Sequence, residues 1–189
     1  MHQRKSNYTG NHSCRRTFIK HSVGIAAGIL VSPSVPAASR RSRTLSFFNL
    51  HTSERLNCTY WSNGRYDDSA LEDISFVLRD FRTNEVKPID PRLLDLLTTI
   101  RIRLSSSEEF HVISGYRSPK TNAMLNAHST GVAKRSLHMQ GKAIDVRLTS
   151  VPVATLWQAG KELNLGGVGY YPKSRFVHLD VGRPRRWTG

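Results

Sequence analysis

Two short runs constrain this chain more than anything else in it. In "KAIDVRL" (142–148), Ile144, Val146 and Leu148 alternate with Ala143, Asp145 and Arg147. In "FVHLDVG" (176–182), Val177, Leu179 and Val181 alternate with His178 and Asp180. A period of two is the signature of a strand with one buried face. The apolar residues claim that face in both runs, so Asp145, His178 and Asp180 stand on the other. A carboxylate placed there must find a partner, because burying an unpaired charge is costly. His138 precedes Asp145 by seven residues, and Gly141 between them lets the backbone turn back. If the two strands are neighbours, His138, Asp145 and His178 converge on one point. Two imidazoles and a carboxylate, with a fourth position left for water, suit a catalytic zinc ion.

The rest of the chain reads as scaffold. "LSFFNLH" and "RLNCTYW" are strand-like runs separated by "TSE", which predicts a hairpin. "SALEDISFVLRDFR" carries Leu71, Ile74, Val77, Leu78 and Phe81 at helical spacing, with Asp68 or Ser69 as its cap. "IDPRLLDLLTTIRIRL" predicts a second helix, capped by Asp90 with Pro91 in its first turn. "FHVIS" reads as a strand, and the helix after it has Ser118 as cap and Pro119 at its first position. An amphipathic helix over "PVATLWQAGKELNL" precedes a closing strand pair, "GGVGYYP" and "FVHLDVG", joined by "KSR". The order predicts an α+β domain: a small antiparallel sheet with helices packed on one face.

The first 39 residues differ from the remainder. A basic start, the apolar stretch Val23–Val31 and small residues near Pro36–Ser39 follow the plan of a secretory leader. About nine apolar residues are too few to span a bilayer core of roughly 30 Å, so no stable membrane insertion is expected once the leader is removed. "RRTFIK", with Arg15 and Arg16, resembles a twin-arginine export signal. Residues 1–39 are therefore read as leader and 40–189 as the working domain. The whole chain carries +14; residues 1–38 hold five bases and no acid, which leaves 23 bases against 14 acids beyond them, or +9. That surface suits a polyanion. An export signal favours a cell-wall polymer over nucleic acid, and no basic stripe with interleaved aromatics offers a stacking surface for bases. Cys14 falls in the leader. Cys58 is then the lone cysteine of the domain, which leaves it no partner for an intramolecular disulfide and excludes a cysteine-based zinc site.

The string Ser136-x-His138-x-x-Gly141-x-Ala143-x-Asp145, the distant "HLD" and the "SGYRS" segment at 114–118 together resemble the zinc peptidases of the LAS group, D-alanyl-D-alanine metallopeptidase and hedgehog-like, over roughly Phe110–Gly182. Within the group the chain is most similar to murein endopeptidases of Gram-negative bacteria. The resemblance implies the LAS/hedgehog-like fold and a periplasmic enzyme that cleaves peptide cross-links of peptidoglycan by way of its stem peptides. It also implies one Zn2+ per chain held by His138, Asp145 and His178, with Arg117 binding substrate or polarising the scissile carbonyl. Many relatives place a glutamate three residues before the last histidine; Arg175 stands there in this chain and cannot act as a base. Asp180, about 7 Å along the strand from His178, is then expected either to be the general base or to orient a histidine. Two other readings stay open: a D,D- or L,D-carboxypeptidase trimming stem peptides, and a non-catalytic zinc module that binds the wall. Manganese or iron in place of zinc is also compatible with these ligand types.

Overall fold

The computed structural model describes residues 15–17, 42–129 and 131–189. Val23–Val31 and the small-residue end of the leader lie outside the described residues. Among the described residues there are nine strands: β1 (Arg15–Thr17), β2 (Ser42–Asn49), β3 (Arg55–Ser62), β4 (Arg65–Tyr66), β5 (Phe110–Ser114), β6 (Ala143–Arg147), β7 (Gly167–Tyr171), β8 (Phe176–Asp180) and β9 (Arg185–Thr188). Four α-helices accompany them: α1 (Asp68–Val77), α2 (Pro91–Arg103), α3 (Pro119–His128) and α4 (Val153–Leu163). A 3₁₀ turn at Leu137–Gln140 leads into β6.

The α+β class holds, but the sheet is neither small nor wholly antiparallel. Its order is β1-β3-β2-β5-β6-β8-β7-β9, with β4 paired to β3. Two pairings, β2 with β5 and β7 with β9, are parallel. The sheet grows because β9, a polar tail with no apolar period, adds to the edge beside β7, and because the hairpin β2–β3 joins β5. The arginine pair at 15 and 16, read as an export signal, falls in the three-residue strand β1 beside β3.

One face of the sheet carries the core. Leu45, Phe47, Leu56, Phe110, Ile144, Val146, Val177 and Leu179 meet Ile74, Leu93, Leu94, Leu97, Ile100 and Leu156 of the helices in one cluster. Helix α1 packs on β3, α2 on β2, and α4 on β7 and β8. Each wholly buried leucine or isoleucine contributes about 1.5–3 kcal/mol, so the apolar period that defines the strands also supplies the main cohesion. Tyr60 is buried there too, and its hydroxyl bonds Asp95 and Thr98 of α2 at 3.0 and 2.8 Å.

Helix α2 starts where Asp90 and Pro91 predict, Asp90 accepting from Arg92 N. Helix α1 differs: its cap is Asp67, which accepts from Ala70 N at 3.0 Å, and it stops at Val77 instead of running to Arg82. The carbonyl of Leu78 is taken by Tyr116 N at 2.8 Å. The buried Asp80 turns away to accept from Ser118 N and Arg82 N. A buried carboxylate serving backbone donors outweighs the weak preference of "RDFR" for helix. Cys58 is fully buried, as a small core residue should be. It is disulfide-bonded, however, and not the unpaired cysteine expected; the chain's other cysteine, Cys14, lies outside the described residues.

Gly141 ends the 3₁₀ turn in the left-handed region at φ 66°, with its carbonyl accepting from Asp90 N. A Cβ there would run into the carbonyl of Pro88. Gly141→Val is expected to cost at least about 1–2 kcal/mol from the backbone conformation alone, with the clash in addition. Thermal denaturation should show the loss, and because the same turn holds His138, metal affinity should fall with it.

Candidate metal centre

Each of the three predicted ligands is brought in by its own local device. The antiparallel register of β6 and β8 sets Asp145 directly opposite His178 on the face away from the core. His138 rides on the 3₁₀ turn, and its own backbone N–H donates to the capping Ser136 Oγ at 3.3 Å. The "SGYR" turn after β5 lies beneath. Gly115 O faces His138 Nδ1 at 2.7 Å, and Gly115 must be glycine because a Cβ would strike Leu78. Arg117 closes the far side: its Nε donates to Ser114 Oγ at 2.8 Å, and its Nη2 makes a short bond to Asp145 Oδ2.

The hydrogen bonds determine which ring nitrogens face inward. Gly115 O can only accept, so His138 Nδ1 carries the proton and Nε2 presents a lone pair. Asp180 Oδ2 accepts from His178 Nε2 at 3.0 Å, so in the neutral ring Nδ1 is the bare nitrogen, whereas in the protonated ring Nδ1 donates to Asp145 Oδ1. Three electron-rich atoms then confront one another: His138 Nε2 and His178 Nδ1 at 3.2 Å, with Asp145 Oδ1 2.8 Å from His178 Nδ1 and 3.2 Å from His138 Nε2. Bare lone pairs at these separations repel unless a positive charge sits among them. Tetrahedral zinc with bonds of about 2.0–2.1 Å spaces its ligand atoms about 3.3 Å apart, close to what is found. The three residues are all buried and form a group that could hold a metal ion.

The electrostatics agree. Burial pushes the pKa of His138 down, against the pull of the Asp145 carboxylate. Burial alone would raise Asp145, but the neighbouring charge and hydrogen bonds of His138 and His178 hold it well below the usual carboxylate range. Burial works against a charged His178, yet hydrogen bonds to Asp145 and Asp180 win and raise its pKa. The site thus draws in positive charge, as a proton or as a cation.

Asp180 stands elsewhere than a general base requires. It is wholly buried behind His178, on the ring edge away from the cluster. Its Oδ1 accepts from Gly167 N, Gly182 N and Arg185 Nη1 at 3.0, 2.8 and 3.0 Å, and its Oδ2 from Arg185 Nη2 at 2.6 Å besides His178. Burial opposes its charge, but these donors depress its pKa. Both oxygens are committed, and Asp180 is not among the residues that line the cleft. Arg117 stands beside the cluster with its guanidinium turned to Asp145. Its first engagement is with Asp145, and only Nη1 lacks a hydrogen bond among the described residues.

The cluster opens into a cleft of about 420 Å³. One wall is aromatic. Tyr171 and Phe176 stack at 4.4 Å, and Trp187 donates to Tyr171 Oη at 2.9 Å while lying 5.1 Å from the His178 ring. Sequence reasoning missed Trp187 and Arg185, because both reach the site only through the parallel pairing of β9 with β7. A signal did exist in "GGVGYY": Gly169 faces the Trp187 indole so closely that a Cβ would collide with it.

The comparisons with known proteins point the same way. Residues 37–187 match the family described as peptidoglycan L,D-endopeptidase MepK, of the M15 peptidase class. A Haemophilus influenzae protein named probable peptidoglycan L,D-endopeptidase MepK is 41% identical over 170 residues, which cover 88% of this chain and 91% of that protein. The Escherichia coli K12 protein named peptidoglycan L,D-endopeptidase MepK is 39% identical over 166 residues, 87% of this chain and 91% of its own length. A Shigella flexneri protein of the same name matches to the same extent.

Proposed function

This chain belongs to the MepK family of peptidoglycan L,D-endopeptidases, and on that premise we propose that it hydrolyses peptide cross-links between the stem peptides of bacterial peptidoglycan, with one zinc ion held by His138, Asp145 and His178. The observation that carries the reading is the trio of inward lone pairs, fixed by Gly115 O and Asp180 on the outer ring edges, at the floor of an open cleft. Zinc bound there supplies Lewis acidity toward a peptide carbonyl and acidifies water.

The chain's own residues do the rest. Asp145 brings a single negative charge, which leaves the ion net positive. Arg117 holds the second oxygen of Asp145 and has Nη1 left to meet charge developing on the carbonyl oxygen. Asp180 is a positioning residue that keeps His178 in the tautomer with Nδ1 free. Asp145 is the one carboxylate among the described residues that line the cleft. Residues 1–39 act as a leader for export to the periplasm by the twin-arginine route; no helix among the described residues is long and apolar enough to cross a membrane.

Digestion of purified peptidoglycan, followed fragment by fragment by mass spectrometry, tests this. Cross-linked dimers should be cut, chelator should stop the release, and added zinc should restore it. Release of single terminal residues alone would point to a carboxypeptidase; zinc content without any release would point to a binding module.

A further inference from the structure

Three guanidinium groups line the cleft: those of Arg117, Arg135 and Arg185. Two are already committed, Arg117 to Asp145 and Arg185 to Asp180. Arg135 is exposed and makes no hydrogen bond or ion pair among the described residues. Its backbone is nonetheless held on both sides. Asn122 of α3, itself buried, donates Nδ2 to the carbonyls of Ala133 and Lys134 at 3.1 and 3.4 Å. Asn126 Nδ2 donates to Val132 O at 2.5 Å. On the other side Ser136 is buried and caps the 3₁₀ turn that carries His138. A charged side chain with no hydrogen-bond or ion-pair partner among the described residues therefore lines the cleft, on backbone anchored to the turn that carries His138.

We propose that Arg135 is a specificity-determining residue that grips a free carboxylate of the peptide substrate. The inference rests on the peptidase reading above and deepens it, since stem peptides of the wall carry carboxylates. A guanidinium matches a carboxylate in a two-bond fork, which orients the substrate as well as attracting it. The two engaged arginines cannot do this without abandoning Asp145 or Asp180. The wall of Tyr171, Phe176 and Trp187 offers apolar support for the aliphatic part of the same peptide.

The test uses the metal-loaded enzyme and two probes: a cross-linked stem-peptide dimer with free carboxylates, and the same dimer with its carboxylates amidated. The wild type should prefer the free acid by about tenfold or more in kcat/KM, mainly through KM, as expected for loss of a charge-assisted bond. Arg135→Gln should abolish that preference without loss of bound metal, and Arg135→Lys should recover part of it. Lys134→Gln, which removes a neighbouring charge outside the cleft lining, should leave the preference intact and so separate the fork from general attraction. An unchanged preference in Arg135→Gln, or no preference in the wild type, would overturn the assignment. If the wild type cuts neither dimer, the peptidase reading fails. The preference is then read from calorimetric binding of the two dimers, where its survival in Arg135→Gln overturns the anchor and its loss supports it.

Discussion

Asp145→Asn is expected to leave the protein folded but without metal, and to bring peptidoglycan cleavage down to the level of a no-enzyme control. Asp145 is the only anionic donor of the three ligands, and it lies within 2.8–3.2 Å of both histidine nitrogens that face inward. An amide in its place is neutral, and its NH2 would aim protons at lone pairs that should meet a cation. Two neutral imidazoles alone hold a divalent ion poorly. The side chain sits on the far side of the sheet from the core cluster, so β6 keeps Ile144 and Val146 in place and the fold persists. Arg117 loses its buried partner, which adds a stability cost of about 3 kcal/mol or more, as for a broken buried pair. Metal analysis of the purified variant, its melting curve and its action on purified wall material separate these effects. A variant that keeps one equivalent of zinc and normal turnover would show that the ion, if bound, sits elsewhere.

The second large effect concerns Asp180. Asp180→Ala strips partners from Gly167 N, Gly182 N, Arg185 and His178 at once. Each buried donor left unsatisfied costs about 1–3 kcal/mol, and Arg185, more exposed, adds little because solvent screens it. A total of about 3 kcal/mol or more corresponds to a fall in Tm of roughly 6–12 °C for a chain of this size. Asp180→Asn is milder and more informative. If Asp180 only orients His178, metal affinity and activity should weaken together by about 10- to 100-fold, as for other residues that support a ligand histidine. A collapse of turnover with full zinc affinity would instead restore Asp180 as the proton acceptor.

Acid stability gives an independent readout of the same residue. The folded pKa of Asp180 lies below its unfolded value. The carboxylate's contribution is therefore fully present above the unfolded pKa, near about 3.9, and is lost as pH falls through the folded value. Asp180→Asn should flatten the decline of stability below about pH 4 while leaving the neutral plateau lower.

Much of this protein is legible without coordinates. Side-chain alternation in 142–148 and 176–182 determined which residues are core and which face the site, because strand geometry allows nothing else. Asp90 with Pro91, and Ser118 with Pro119, determined two helix starts, since a cap and a proline at the first turn satisfy backbone donors locally. The meeting of His138, Asp145 and His178 followed from that local logic and from one motif string. What only the tertiary structure decided is non-local. The parallel addition of β9, which brings Trp187 and Arg185 to the site, has no periodic signature in its own residues. The burial of Asp180 behind His178, the pairing of Arg117 with Asp145, and the freedom of Arg135 depend on which groups reach one another first. Alternation and capping act over a few residues, whereas the allotment of partners among charged side chains is settled only when distant segments pack together.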